Sequence, residues 1–123
     1  MKKIVTEKAP GAIGPYCQGM ISGNLVVTSG QLPADPQSGL VPEGIKAQAE
    51  QSCKNVGAVL EAGGSGFDRV IKTTCFLADM ADFTAFNEVY AKYFVSNPAR
   101  SCVAVKTLPK NVRCEIEATA EIK

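Results

Sequence analysis

The end of the chain, from Val112 to Ile122, shows the clearest alternation of apolar and polar residues. The apolar positions are Val112, Cys114, Ile116, Ala118, Ala120 and Ile122. The positions between them are Arg113, Glu115, Glu117, Thr119 and Glu121. A period of two predicts a β-strand with one face on the core and the other turned away from it. Glu115 is therefore predicted to lie on the face turned away from the core.

Four further segments have the composition of strands. Three of them lie near the start of the chain: Lys3–Thr6, Gln18–Ser22 and Leu25–Ser29. Gly23-Asn24 separates the last two and predicts a two-residue hairpin turn. The fourth segment, Phe67–Leu77, is rich in Val, Ile, Thr and Phe, which is typical of a central strand.

Helical spacing occurs in two places. Between Glu43 and Ala62, apolar residues recur at intervals of three and four, and Gly63-Gly64 is predicted to end that helix. Asp79 is the predicted N-cap of a second helix, which ends before Pro98. The apolar face of this second helix is formed by Phe83, Phe86, Tyr90 and Tyr93 or Phe94.

With a sixth strand that begins at Arg100, the predicted order is β-β-β-α-β-α-β-β, without a repeat or a linker. It indicates the α+β class, as a two-layer sandwich in which a mixed β-sheet carries two helices on one face. Residues 1–123 are long enough for one such domain and too short for two. The second face of the sheet needs a cover, so we expect the protein to self-associate.

The last two strands are predicted to form a hairpin that turns at Leu108–Asn111. Arg100 opens the first of these strands, directly after Pro98-Ala99. If the register places Cys102 opposite an odd-numbered residue, Glu115 or Glu117 becomes the neighbour of this strand. A shift of one residue would remove that relationship.

Composition narrows the classes of function. The chain is 46% hydrophobic and 20% charged, with a formal net charge of +1, which is ordinary for a globular protein. The absence of a basic stripe argues against nucleic acid as a partner. No apolar run approaches the length of a membrane span, which requires about 18 residues. Lys2-Lys3 is not followed by an apolar stretch, so we expect no secretory signal and a cytoplasmic location.

The five cysteines and the absence of histidine limit the chemistry further. The cysteines are Cys17, Cys53, Cys75, Cys102 and Cys114, and no two are close enough for a CxxC motif. We expect reduced, mostly buried thiols and no metal site. Without histidine, the Ser-His-Asp and Cys-His mechanisms are excluded.

Arg100 and Glu115 are the candidates for catalysis. A guanidinium suits a carboxylate ligand, and a nearby glutamate can move a proton or orient a water. Both also have ordinary interpretations, as a surface arginine and as one of several acids on a solvated strand face. Glu117 and Glu121 share that face, and periodicity does not choose among the three.

Four other residues have two interpretations each. Tyr16 is a loop anchor or a pocket lid, and Gly30, after Ser29, permits a turn or a close backbone approach to a ligand. Asn87 is a polar contact or a catalytic group. Cys102 is a buried strand thiol or a nucleophile, and no obvious base is available to activate it.

Six sequence blocks together resemble the reactive-intermediate deaminase (Rid/YjgF) family, specifically its archetypal enamine/imine deaminases. The blocks are 12–16 (AIGPY), 27–33 (VTSGQLP), 72–74 (KTT), 87–90 (NEVY), 98–103 (PARSCV), and 108–110 (LPK) with 115–117 (EIE). They follow the order of the family over nearly the whole chain.

This resemblance implies a chorismate-mutase-like fold and a homotrimer with three sites between subunits. It implies hydrolysis of 2-aminoacrylate-type enamines and imines, which are small carboxylates, to 2-keto acids and ammonia without a cofactor. Arg100 matches the carboxylate-binding arginine of the family, and Glu115 matches the acid that orients or activates water. Other positions that line the cleft are matched by Tyr16, Ser29, Gly30, Asn87 and Cys102.

Two alternatives stay open at this point. The chain is alternatively a non-catalytic, regulatory protein that binds small acids on the same scaffold. RNA cleavage or inhibition of translation is the other alternative, and the near-neutral charge and the missing histidine argue against it.

Overall fold

The computed structural model describes all residues, Met1–Lys123, and contains six strands and two helices. The elements are β1 (Lys2–Ile4), β2 (Gly19–Ser22), β3 (Leu25–Thr28), α1 (Ile45–Ala62), β4 (Val70–Leu77), α2 (Phe83–Tyr93), β5 (Ala99–Ala104) and β6 (Cys114–Glu121). Short 3₁₀ turns lie at Phe67–Arg69, Met80–Asp82 and Pro109–Asn111. The predicted order of elements is confirmed.

The six strands form one mixed sheet in the order β1-β2-β3-β6-β4-β5. Neighbouring strands are antiparallel except β4 and β5, which are parallel. The parallel pair follows from α2, because a helix between two strands returns the chain to the same end of the sheet. The predicted mixed sheet is confirmed.

The predicted terminal hairpin is wrong, because β4 lies between β5 and β6. The connection from residue 105 to residue 113 passes around the end of β4 and is much longer than a tight turn. Val105 N–H donates to Leu77 O at 2.9 Å, and Ala78 N–H donates to Arg113 O at 3.0 Å. These bonds tie the end of β4 to both ends of the connection.

Both helices pack on the same face of the sheet, as predicted. The Ser52 hydroxyl of α1 lies 3.7 Å from the Cys114 thiol of β6. The Tyr90 hydroxyl of α2 lies 2.7 Å from the Thr73 hydroxyl of β4. The side chains between these layers form a core of 19 buried residues. Neither helix is long and apolar enough to cross a membrane.

The alternation in β6 appears as alternating burial. Cys114, Ile116, Ala118 and Ala120 are buried under the helices, whereas Glu115 lies on the opposite face. On that face no element of the chain covers Val103 and Val27, which are 46% and 44% exposed. This open face is the one for which the sequence predicted a cover.

The residues predicted to cap the two helices do so in the structure, with one difference in position. Gly63 caps α1, and Gly64 has the positive φ of 83° that glycine tolerates best. Asp79 caps the 3₁₀ turn Met80–Asp82 by accepting from Ala81 N–H at 2.8 Å, and α2 begins only after that turn. The predicted N-cap therefore acts one turn earlier than the helix itself.

Two buried amide side chains hold the loops that follow β1 and β3. Gln18 donates to Thr6 O at 2.9 Å, to Ala9 O at 3.1 Å and to Pro10 O at 2.8 Å. Asn55, from α1, donates to Leu32 O and Ala34 O at 2.9 Å each. Buried carbonyls without partners are costly, so these amides stabilise the irregular backbone around the candidate site.

Candidate active site

Arg100 lies on β5, opposite Thr73 of β4, and its side chain points to the side of the sheet that carries the helices. Its Nη1 donates to Asn87 Oδ1 of α2 at 2.7 Å. Its guanidinium lies over the Tyr90 ring at 4.8 Å from the centroid, and 5.5 Å from the centroid of Phe83. No carboxylate pairs with it. The arginine is thus held by neutral groups and keeps its charge for a ligand.

Cys102 lies two residues further along β5, opposite Cys75. Burial raises the pKa of the Cys102 thiol, and the smaller opposing effect of Arg100 lowers it. The thiol is therefore protonated at neutral pH and is a poor nucleophile. This favours a role in lining the site over covalent catalysis.

A small cavity opens on this side of the sheet. It has a volume of about 290 Å³, and its walls include Asn87, Tyr90, Asn97, Pro98 and Arg100. A cavity of this size suits a small acid rather than a large ligand. We call Arg100, Asn87, Tyr90 and Cys102 the arginine half-site.

Glu115 lies on the other face of the sheet, opposite Phe76 of β4. Burial raises the pKa of its carboxyl, and the negative charge of Glu117 raises it further. An acid with a raised pKa accepts and returns protons more readily near neutral pH than an ordinary glutamate does. Glu117 and Glu121 on the same strand are exposed, whereas Glu115 is partly buried.

Gly30 lies directly against the Glu115 carboxyl group. A Cβ at this position would overlap the carboxylate and approach the Glu115 Cδ to 2.8 Å. The backbone on either side is fixed, since Gln31 N–H donates to Ile116 O at 2.7 Å and Ile116 N–H donates to Gln31 O at 3.2 Å. A larger residue would therefore fit here only if the Glu115 side chain moved away, and the constraint comes from close approach, not from an unusual φ.

Ser29 and Tyr16 complete this side. The Ser29 hydroxyl donates to Cys17 O, which joins the end of β3 to the Tyr16 loop. Tyr16 is 57% exposed, and its hydroxyl accepts from Ile13 N–H at 3.4 Å. A cavity of about 810 Å³ is lined by Tyr16, Ser29, Gly30 and Glu115. We call these four residues the glutamate half-site.

The structure thus divides the seven predicted site residues between two half-sites. Arg100 and Glu115 lie on opposite faces of the sheet, and β4 separates their strands. The hypothesis that they are neighbours on one hairpin is wrong. Within one chain the two half-sites do not meet.

Sequence reasoning missed Tyr90 and Lys110 as site residues. It assigned Tyr90 only to the apolar face of α2, although Asn87 and Tyr90 are three residues apart and share one side of the helix. Lys110 lines the cavity beside Glu115 and has a positive φ of 59°. The sequence block Leu108-Pro109-Lys110 contains this lysine and could have indicated that it belongs to the site.

No group of three or more His, Cys, Asp or Glu side chains is placed to hold a metal ion. All five cysteines are free thiols, as predicted. The polar groups of the site that the structure provides are the guanidinium, the carboxyl, the Asn87 amide, the hydroxyls and the Cys102 thiol.

Comparisons with known proteins match the chain over almost its whole length. The family model described as "Endoribonuclease L-PSP" matches residues 6–122. A protein of Salmonella typhimurium (strain LT2) named "2-iminobutanoate/2-iminopropanoate deaminase" is 50% identical to this chain, with 97% of this chain and 96% of that protein covered.

Solved structures match as closely. The crystal structure of Escherichia coli TdcF with bound serine has a TM-score of 0.96 at 46% identity, with both chains covered completely. The structure of the Escherichia coli YjgF gene product has a TM-score of 0.95 at 47% identity, again over 100% of both chains.

Proposed function

This chain belongs to the Rid/YjgF family, as its sequence blocks predicted, and from that premise we propose that it is a 2-iminobutanoate/2-iminopropanoate deaminase. The reaction is hydrolytic: an enamine or imine of a small 2-keto acid and water give the keto acid and ammonia. The observation that carries this function is the identity of 50% to deaminases over nearly the full length of both chains. The chemistry of both half-sites agrees with it.

Arg100 binds the substrate carboxylate. Its Nη1 is used by Asn87, so the edge formed by Nε and Nη2 stays free for two parallel hydrogen bonds. Hydrogen bonds to charged groups contribute about 1.5–3 kcal/mol each once water is excluded. No acid of this chain competes for the guanidinium.

Glu115 handles the proton. As water adds to the imine carbon, Glu115 takes a proton from the water and passes it to the imine nitrogen, which gives a carbinolamine. Glu115 then removes the hydroxyl proton and delivers it to the amine as the C–N bond breaks and ammonia leaves. An imine conjugated to a carboxylate is already electrophilic, so a placed acid/base and a fixed substrate are sufficient. The raised pKa of Glu115 suits both transfers.

The complete site requires two copies of the chain. Each chain supplies the arginine half-site to one site and the glutamate half-site to another, and the exposed apolar residues Val27 and Val103 lie on the face that a neighbour covers. Such a head-to-tail contact closes into a ring, and the ring we propose is a homotrimer. Tyr16, Ser29 and Gly30 then line the cleft together with Asn87 and Cys102 of the neighbour. We place this trimer in the cytoplasm, and it uses no cofactor.

The family description also names an endoribonuclease, and nothing in this structure favours that activity here. The formal net charge is +1 and histidine is absent. Neither half-site presents a basic stripe that follows a nucleic-acid backbone.

The test measures formation of keto acid from an imine that a threonine dehydratase releases in the same cuvette. Arg100→Ala and Glu115→Gln are each expected to lower kcat/KM by about 100-fold or more, since each removes one essential charged group. Arg69→Ala and Glu121→Gln are matched controls, because Arg69 is exposed outside both half-sites and Glu121 lies further along the face of Glu115.

Mixed trimers test where the site is formed. When equal amounts of the Arg100→Ala and Glu115→Gln chains are denatured and refolded together, about one site in four receives an intact arginine from one chain and an intact glutamate from the next. About a quarter of the wild-type activity is then expected. A site within one chain would give none, and that result would overturn the proposed arrangement. The mass in solution should be about 39 kDa, three chains of 13.0 kDa each.

A further inference from the structure

The Tyr90 ring has a contact with Arg100 that no role assigned above explains. The guanidinium carbon lies 4.8 Å from the centroid of this ring, closer than to that of Phe83 at 5.5 Å. The negative face of an aromatic ring attracts a cation without neutralising it. An acid in the same place would fix the arginine equally well but would compete with the carboxylate of a substrate.

Tyr90 is itself held rigidly. Its hydroxyl lies 2.7 Å from the Thr73 hydroxyl in a buried contact, and its ring stacks on Phe94 with centroids 4.4 Å apart. The side chain is only 8% exposed. Thr73 stands directly opposite Arg100 in the register of β4 and β5. Tyr90 is therefore anchored to the strand next to the arginine that it contacts.

We propose that Tyr90 is a positioning residue of the deaminase site, which fixes the plane of the Arg100 guanidinium through its ring face while the Thr73 hydroxyl fixes the ring. The hydrogen bond to Asn87 sets the direction of the Arg100 Nη1, and the Tyr90 ring sets the plane of the guanidinium. The free edge of the guanidinium is therefore already oriented when the substrate carboxylate binds. Preorganisation of this kind reduces the entropy lost on binding. The inference rests on the carboxylate-binding role of Arg100 proposed above.

The experiment uses the assembled protein and 2-oxobutanoate as an unreactive carboxylate probe, with Kd measured by calorimetry. Tyr90→Leu is expected to raise Kd about tenfold, the loss typical of a cation–π contact that is partly shielded from water. In turnover, the same variant should raise KM more than it lowers kcat. Tyr93→Phe is the control, since Tyr93 is on the same helix and bonds to Glu50 instead.

A double-mutant cycle separates positioning from a general effect on the fold. In an Arg100→Ala background, Tyr90→Leu should cause no further loss of binding, because the group that it positions is absent. Equal losses in both backgrounds would overturn the inference. If Arg100→Ala alone bound the probe like the wild type, the proposed role of Arg100 would fail, and the inference with it.

A second comparison avoids the loss of side-chain volume. Tyr90→Phe is compared with pentafluorophenylalanine at the same position, which has nearly the same shape but lacks the negative ring face. Binding of 2-oxobutanoate should be several-fold weaker with the fluorinated ring. Equal affinity for the two rings would overturn the inference even if Tyr90→Leu does not fold.

Discussion

Arg100 and Glu115 lie on opposite faces of one sheet, with β4 between their strands. Each has its own surroundings: neutral polar and aromatic groups around the arginine, and a close glycine backbone with a second acid near the glutamate. A single chain therefore carries both functional groups without a site that contains both. This relationship is the physical basis for proposing that catalysis needs a neighbouring copy.

Glu117 should control the pH at which the enzyme loses activity on the acid side. Its charge raises the pKa of Glu115, after the larger effect of burial. In the mechanism proposed above the base form of Glu115 is the active one, so activity should fall as the pH drops through that raised pKa. Glu117→Gln removes the like charge, so the acidic limb of kcat/KM should move to lower pH. Glu121→Gln should leave the limb in place, and an unmoved limb in Glu117→Gln would contradict the coupling.

Glu115 should lower the stability of the fold at neutral pH. Because its pKa is higher in the folded chain than in the unfolded chain, the folded state loses stability as the pH rises from below the unfolded value through the folded one. Glu115→Gln should therefore unfold at higher urea concentration than the wild type at about pH 7 and at a similar concentration at about pH 3. A variant that is less stable than the wild type at neutral pH would show that the carboxylate makes stabilising contacts instead.

Gly30→Ala should displace the Glu115 carboxyl group. The added Cβ overlaps that carboxylate, which must turn away, so we expect a loss of activity of about tenfold or more and only a small change in the free energy of unfolding. In a Glu115→Ala background the methyl group finds room, and that small change should disappear. Gly11→Ala is the control, because a Cβ there meets nothing within 4 Å.

Asn55→Leu should destabilise the loop that leads away from Gly30. The change removes donors to Leu32 O and Ala34 O, both at 2.9 Å, and leaves two carbonyls without partners. We expect a loss of about 2–4 kcal/mol in the free energy of unfolding, measured by urea denaturation. Gln51→Ala should cost less, because Gln51 bonds only to the Asn55 side chain.

The thiols should differ in their reactivity. Burial raises the pKa of Cys75 and of Cys114 to about 12, and it raises the pKa of Cys53 as well. Iodoacetamide at about pH 8 should therefore modify at most Cys17 and Cys102 in the native protein and all five cysteines after denaturation. Mass spectrometry of the alkylated peptides distinguishes the two sets.

Local sequence patterns predicted most of the helices and strands, and they predicted on which face of its strand a residue lies. The alternation around Glu115 placed it correctly on the face away from the helices, because side chains in a strand alternate with a period of two whatever the partners are. The stripe on α1 and the glycines at its end predicted that helix to within a few residues. These features depend only on neighbours along the chain.

Local patterns of this kind could not predict that β5 pairs with β4. The predicted hairpin assumed that strands adjacent in sequence are adjacent in the sheet, whereas β6 pairs with β3 and β4. Which strands pair with β6 depends on how the sheet buries the apolar faces of two helices and three earlier strands at the same time. No local segment of the sequence contains that information. The same holds for the contacts of Tyr90 with Arg100 and of Gly30 with Glu115, which join residues distant in sequence.

The sequence by itself determined the elements, the face on which Glu115 lies and, through its motifs, the family. Only the tertiary structure decided that β4 separates the strands of Arg100 and Glu115 and that the Tyr90 ring contacts the Arg100 guanidinium. The physical reason is that periodicity fixes the direction of a side chain relative to its own strand. The order of the strands determines which side chains come into contact, and long-range packing sets that order.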